Sequence, residues 1–564
     1  KQKTAYEIRL SLVGSEMCIR DSFRCDALDS GAVYCRRWRN WNLEFSIIRP
    51  TIRVVILLLW LWMVGCSLNT RPDDVIVITA TFSPNDPSNS QIATPTWIVL
   101  SATSTPVPTQ SVNVAVSATL RDYIVVAGDT LFGIANRFGL TVEQLLEANT
   151  LVNPDILEIG QLLVLPTLPE VLGSDFLILP DRRLVRTIDS AAFDIGRFIA
   201  TQTGIITTAT DEVNGRVLSV AEIIEQISLN FSVDARVLLA LLEYKSRWLT
   251  RATLTPTEQE DPLGAPAFAS GIARQGIYLQ LAWAADNLNR GYYGWMQNSL
   301  EWVQTRDDMR VRLPQTLNPA TVGVQQVLSL VSELTTWQQA VSPNGFQAVY
   351  RSFFGDPFTS SSDPVVPVGL TQPQLALPFS ENETWFFTGG AHGGWGSGSA
   401  WAAIDFAPPD DLTQKRTACY VSDYFVTAVA DGIIVRSNDG AVVLDLDGDN
   451  DETTGWSILY LHLATQDRIA TGTRVRTGDL IGRPSCEGGF SNGTHLHIAR
   501  RYNGEWLPVS CDTCRAAFQR PPLVIGGWSV IMLPRQEYQG YMVNGNRRII
   551  AEQGRNIADN EISW

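Results

Sequence analysis

The run Gly493-Thr494-His495-Leu496-His497-Ile498 alternates histidine with an apolar residue. A period of two belongs to a β-strand, in which residues two apart point to the same face. His495 and His497 therefore share a face, and two imidazoles at one spot suit a metal ligand beside a proton-transfer group. The chain contains only four histidines, His392, His462, His495 and His497, all in its last third. Histidine used this sparingly and grouped this closely points to chemistry.

The surroundings read as strands as well. From Thr371 the sequence turns to short apolar runs, Gly-rich turns and aromatics without a long helical period, which predicts an antiparallel all-β domain over 371–520. Val426–Val435 and Ala441–Leu446 read as a hairpin. Ser457–Leu463 reads as a strand that places Ile458, Tyr460 and His462 on one face. His392 and Asp405 flank the Gly-rich stretch Gly393–Trp401, which can fold back and bring both to one point. Catalytic zinc takes three His or carboxylate ligands and keeps a fourth position for water, whose pKa it lowers to ~7. The chain offers His392, Asp405 and one of His495 and His497, leaving two histidines for the water and the developing oxyanion.

These residues, His392 and Asp405, Tyr460-Leu-His462 and His495-Leu-His497, resemble the M23 family of zinc metallopeptidases, the lysostaphin/LytM type, over about residues 375–510. The wide spacing from His392 to Asp405 is more similar to the β-lytic branch. The resemblance implies that His392, Asp405 and His497 bind Zn²⁺ and that His462 and His495 are catalytic. It implies cleavage of peptide bonds in peptidoglycan. The competing reading is an inactive LysM/LytM-like regulator that recruits or activates another cell-wall hydrolase.

At 564 residues several domains are expected. The run Leu12–Asp21 resembles a sequencing-adapter translation, and residues 1–45 are set aside as non-native. Arg49 and Arg53, the apolar run Val54–Gly65 and the ending Met63-Val64-Gly65-Cys66 resemble a lipoprotein signal peptide, 46–66, with lipidation at Cys66. That places the protein outside the cytoplasm, anchored to the outer face of a bacterial membrane or envelope. Residues 67–120 form a Pro/Ser/Thr-rich linker. A net charge of −15 argues against nucleic acid as a partner. The cysteines of the last third, Cys419, Cys486, Cys511 and Cys514, are disulfide candidates, with Cys419–Cys486 and Cys511–Cys514 the favoured pairing.

Residues 121–167 show a strand, two short helices (Leu131–Phe138 and Val142–Ala148) and a closing strand. Tyr123, Gly128-Asp129-Thr130-Leu131, Phe138-Gly139, Asn149, Asn153-Pro154 and Gly160-Gln161 resemble the LysM domain. The likeness implies glycan binding, peptidoglycan above all, around Gly128, Asp129, Thr130, Leu131, Asn153 and Pro154. Residues 180–360 read as mainly helical, with a Ser219/Glu222 cap and helices at Val233–Trp248, Gly276–Leu288, Val322–Leu334 and Phe346–Phe354. This region weakly resembles lytic transglycosylases and is lysozyme-like at most, because Lys245 stands where the acid is expected and Glu243 lies elsewhere on the helix. Asp445-Leu-Asp447-Gly-Asp449-Asn-Asp451 lacks the Gly and Glu of a calcium loop and reads as a solvated acidic turn. The extension 521–564 carries strand-like aromatic pieces.

Overall fold

The computed structural model describes residues 23–27, 33–37 and 121–564, apart from 126–128, 139, 141, 150, 152–156, 167–169, 360–363, 416, 534–535 and 556. The signal-like run with Cys66, the linker, Gly128, Asn153 and Pro154 lie outside the described residues. An antiparallel hairpin, Phe23–Ala27 with Val33–Arg37, belongs to a unit of its own, residues 20–115. Among the described residues, no helix is long and apolar enough to cross a membrane.

The LysM module has the expected βααβ order. Strand β1 (Arg121–Ile124) pairs antiparallel with β2 (Leu162–Leu165), and helices α1 (Leu131–Phe138) and α2 (Val142–Ala148) lie between them in sequence. The Thr130 hydroxyl accepts the Gly133 amide at 3.0 Å, closing the open N-terminus of α1. Asn149 ties the end of α2 to β2, since its side chain both accepts from and donates to the Val164 backbone at 2.7 Å.

The middle region is helical. Helix α3 (Val220–Phe231) starts with the Ser219/Glu222 capping box read from the sequence. Helix α4 (Ala235–Ser246) buries residues on every side. Glu243 is structurally paired there, accepting from the Leu249 amide at 2.9 Å and the Thr250 hydroxyl at 2.6 Å. The long α5 (Ile277–Met296) packs on α6 (Pro319–Ser329). The helix expected through Leu334 is broken. Arg306 N donates to Ser332 O, and Asp307 accepts Leu334 N, so residues 330–333 turn toward a neighbouring hairpin. A new helix starts at Leu334.

The β region is built on an antiparallel sheet. Its central strands are β3 (Trp385–His392), β4 (Ala403–Ala407), β5 (Gly432–Asn438), β6 (Ala441–Asp445), β7 (Trp456–Leu461) and β8 (Leu496–Tyr502), in the order β5-β6-β7-β8-β4-β3. One face, with Val443, Leu459, Leu461 and Ala499, shares a core with the helical region. The other, with Val442, Leu444, Tyr460 and Ile498, packs on a second sheet from the C-terminal extension that contributes Ile525, Trp528 and Met542. Because the sheet is covered on both faces, β6 is buried throughout, and its first four residues, Ala441–Leu444, read as an unbroken apolar run. The expected hairpin begins later than its sequence run suggests: β5 pairs with β6, whereas Val426–Thr427 leaves to pair with Leu480–Gly482.

Candidate metal centre

Three adjacent strands bring their side chains to one point. His392 ends β3, Asp405 lies in β4 and His497 in β8, where Asp405 and His497 are direct cross-strand partners. Cross-strand partners in an antiparallel pair project to the same face. That face is the one covered by the helical region.

The Asp405 Oδ1 atom lies 3.3 Å from both His392 Nε2 and His497 Nδ1, and these two nitrogens are 2.9 Å apart. The other nitrogen of each ring faces a backbone carbonyl. His392 Nδ1 is 2.8 Å from Gly390 O, and His497 Nε2 is 3.0 Å from Gly394 O. A carbonyl can only accept, so it assigns the ring proton to that side and leaves a lone pair on the nitrogen facing Asp405. Two imidazole lone pairs and a carboxylate oxygen then converge, and Asp405 Oδ1, buried, has no hydrogen-bond partner. Such a group is costly unless a cation meets it. Tetrahedral zinc with ligands at 2.0–2.1 Å spaces them about 3.3 Å apart. The residues therefore fit the ion.

Asp405 demands positive charge beside it. Burial works against a charged His392, but Asp405 outweighs burial and raises the His392 pKa. Asp405 itself is held well below the carboxylate range by His392 and His495 despite its burial. Burial also lowers the pKa of His497.

The remaining histidines stand next to this triad. His462 and His495 have ring centroids 4.6 Å apart, and His495 Nε2 is 3.6 Å from Asp405 Oδ1. His462 Nδ1 is 3.1 Å from Glu487 O and His495 Nδ1 is 2.7 Å from Gly493 O. Both thus keep Nε2 as a proton acceptor. Burial, reinforced by His495 and His497, holds the His462 pKa well below its usual value. His462 is not on the face that alternation assigns it. Strand β7 ends at Leu461, and His462 has φ +66°, which takes its side chain away from the Tyr460 face to the site. A bulky residue in this left-handed conformation stores strain, and such strain concentrates at functional sites.

Several supporting residues carried no sequence motif. Gly389 faces Asp405 across the ladder, and a Cβ there would overlap the Asp405 carboxylate. Tyr538 of the extension stacks on His392 with centroids 4.4 Å apart, at φ +65°. The disulfides are Cys419–Cys486 and Cys511–Cys514. The first braces the site from both sides: the carbonyl of Glu487 orients His462, while Ala418 O and Tyr420 bond Thr494, the residue before His495. In the LysM module, Asp129 accepts the Tyr123 hydroxyl at 2.6 Å, Thr130 caps α1, and the Leu131 side chain is in the module's core rather than on its surface.

Residues 419–508 match the model of peptidase family M23, and residues 123–166 match the LysM domain. The chain carries a domain of peptidase family M23 and a LysM domain. The M23 match includes His462, His495 and His497, while His392 and Asp405 precede it and join the site through the fold. Residues 177–366 match the N-terminal domain of LasA. The chain is 24% identical over 345 residues to protease LasA of Pseudomonas aeruginosa, covering 57% of this chain and 72% of LasA. Its LysM part is 42% identical over 48 residues to the secreted LysM effector ECP6 of Passalora fulva, 8% of this chain and 21% of ECP6. Among solved structures, the M23 metalloprotease pseudoalterin is 22% identical with a TM-score of 0.25, over 33% of this chain and 96% of pseudoalterin. The catalytic domain of lysostaphin from Staphylococcus simulans is also 22% identical, with a TM-score of 0.16, over 24% of this chain and 88% of that domain.

Proposed function

We propose that this M23 peptidase is an exported, zinc-dependent endopeptidase of peptidoglycan, lipid-anchored through Cys66 and directed to its substrate by glycan binding at the LysM domain. The observation that carries the reading is the convergence of His392 Nε2, His497 Nδ1 and the unpartnered Asp405 Oδ1. In this reading those three atoms would hold Zn²⁺, which when bound would supply a Lewis acid for the scissile carbonyl and lower the pKa of water toward neutrality.

The rest of the chemistry belongs to the chain. Hydrolysis moves a proton from the attacking water to the leaving amine, and His462 and His495 offer two neighbouring Nε2 acceptors for it. Their orientation is set by the Glu487 and Gly493 carbonyls, so no side-chain search precedes the transfer. Glycan binding would raise the concentration of peptide near the site without new contacts at the scissile bond.

The test is zinc content and release of new peptide termini from purified peptidoglycan, with His497→Ala in parallel. About one zinc per chain and cleavage by the intact protein alone are expected. A protein that takes up zinc but cleaves no wall preparation, Gly-bridged ones included, would contradict the endopeptidase and favour the regulator.

A further inference from the structure

The helical region holds the Gly-rich loop 393–400, whose Gly394 carbonyl meets His497. We propose that Asp286, on α5, is a positioning residue that fixes this loop and through it the orientation of His497. The inference rests on the reading of His497 as a metal ligand.

Both carboxylate oxygens of Asp286 are committed to the loop. Oδ1 accepts the Gly398 amide at 2.8 Å and Oδ2 accepts the Ser397 hydroxyl at 3.0 Å. Arg290, one turn along α5, donates to the same Ser397 hydroxyl at 2.6 Å, and Gln297 donates to the Ala400 carbonyl at 2.5 Å. From these anchors the order passes inward. Ser399 donates its hydroxyl to Trp395 O at 2.6 Å and accepts the Trp395 amide at 2.7 Å, while Gly394 N donates to Ser399 O at 3.0 Å. The peptide so held presents Gly394 O to His497 Nε2. That bond selects the tautomer and sets the ring angle, which is how outer partners tune a metal ligand.

The glycines show how tightly the loop is squeezed. A Cβ at Gly396 or Gly398 would overlap Asp286, and one at Gly394 would overlap the Trp506 ring. Trp506 is itself held by the helical region, its amide donating to the Tyr293 hydroxyl at 2.9 Å and its indole to Phe231 O at 3.1 Å. The loop lies flush between α5 and a tryptophan that the same region anchors. Asp286 lies outside the matched M23 stretch, so a chain cut to that stretch lacks this support.

The experiment compares zinc affinity, by chelator competition, in the full chain with Asp286, Asp286→Ala and Asp286→Asn, alongside thermal unfolding of the metal-free proteins and the visible spectrum of their cobalt(II) forms. Asp286→Ala is expected to weaken zinc binding about 10- to 100-fold and to alter the cobalt spectrum. Asp286→Asn keeps an Oδ1 acceptor for the Gly398 amide and should recover most of the loss. Ser397→Ala gives the same direction with a smaller effect, and serves if Asp286→Ala does not fold. Unchanged affinity and spectrum in folded Asp286→Ala, or in Ser397→Ala where Asp286→Ala does not fold, would overturn the role while leaving the metal site standing. A parent protein that binds no zinc would overturn the metal reading, and this role with it.

Discussion

Among the described residues of the β region, two places bring three potential metal-ligand atoms within 4.8 Å of one another: His392, Asp405 and His497, and the turn of Asp445, Asp447 and Asp449. By spacing alone they are equivalent. They differ in what already meets the oxygens. In the turn, Asp445 accepts from the Asn450 and Asp447 amides, and Asp449 accepts from the Asp451 amide and the Thr454 hydroxyl. At the histidines, Asp405 Oδ1 is buried and meets no donor, while two lone pairs point at it. Unmet demand in a buried place, rather than proximity of acids, distinguishes a cation site from a self-satisfied turn.

The contrast is sharpest in a pair of substitutions. Asp405→Asn should abolish stoichiometric zinc and lower peptide cleavage at least about a thousandfold, since a catalytic metal supplies several kcal/mol at 1.36 kcal/mol per decade. Asp447→Asn should leave both unchanged. Metal analysis and initial rates on the two variants decide it, and zinc retained in Asp405→Asn would break the comparison.

A third carboxylate, at the end of the same turn, shows burial with the demand already met. Glu452 is buried between Arg436, at 3.0 Å, and Arg501. Burial alone would raise its pKa, but the two guanidiniums outweigh it and hold it at about 2. Glu452→Gln should cost about 3–5 kcal/mol, because two buried cations lose their partner. In the parent protein the folded pKa lies below the unfolded value. The Glu452 contribution is therefore complete above about pH 4.5 and lost as pH falls through 2, on the order of 3 kcal/mol in all. Denaturant midpoints from pH 7 to 2 would show that slope and its absence in the variant.

The same distinction separates what could be read in the sequence from what could not. His495 and His497 were legible because alternation is a backbone property, and Ser219 and Glu222 because capping is local. His462 was assigned the wrong face because alternation presumes an ordinary φ, and its left-handed backbone is imposed by the turn into Leu463. Helix breaking at residues 330–333 depends on hydrogen bonds from residues 306 and 307, which no 3.6-residue period contains. Asp286 is 112 residues from Gly398, and a single helix carboxylate carries no motif. The Gly-rich loop was visible, but glycines that permit a turn and glycines that let a helix approach are the same letters.

The smallest effect tests the turn on its own terms. Burial, and then Asp447 beside it, pushes the Asp445 pKa up to about 6, the opposite direction from Glu452. A carboxyl whose folded pKa is raised binds its proton more tightly in the folded state, so its ionisation costs stability as pH rises from about 4 through 6. Asp447→Asn removes the charge and should bring the Asp445 pKa back toward the usual carboxylate range, read by carboxyl NMR titration. It should also make the protein slightly more stable at pH 7 with no gain at pH 4. Were Asp445 instead to rely on a bound cation, millimolar calcium would lower its pKa in the parent protein and raise the melting temperature; the backbone amides already bonded to it predict that calcium changes neither.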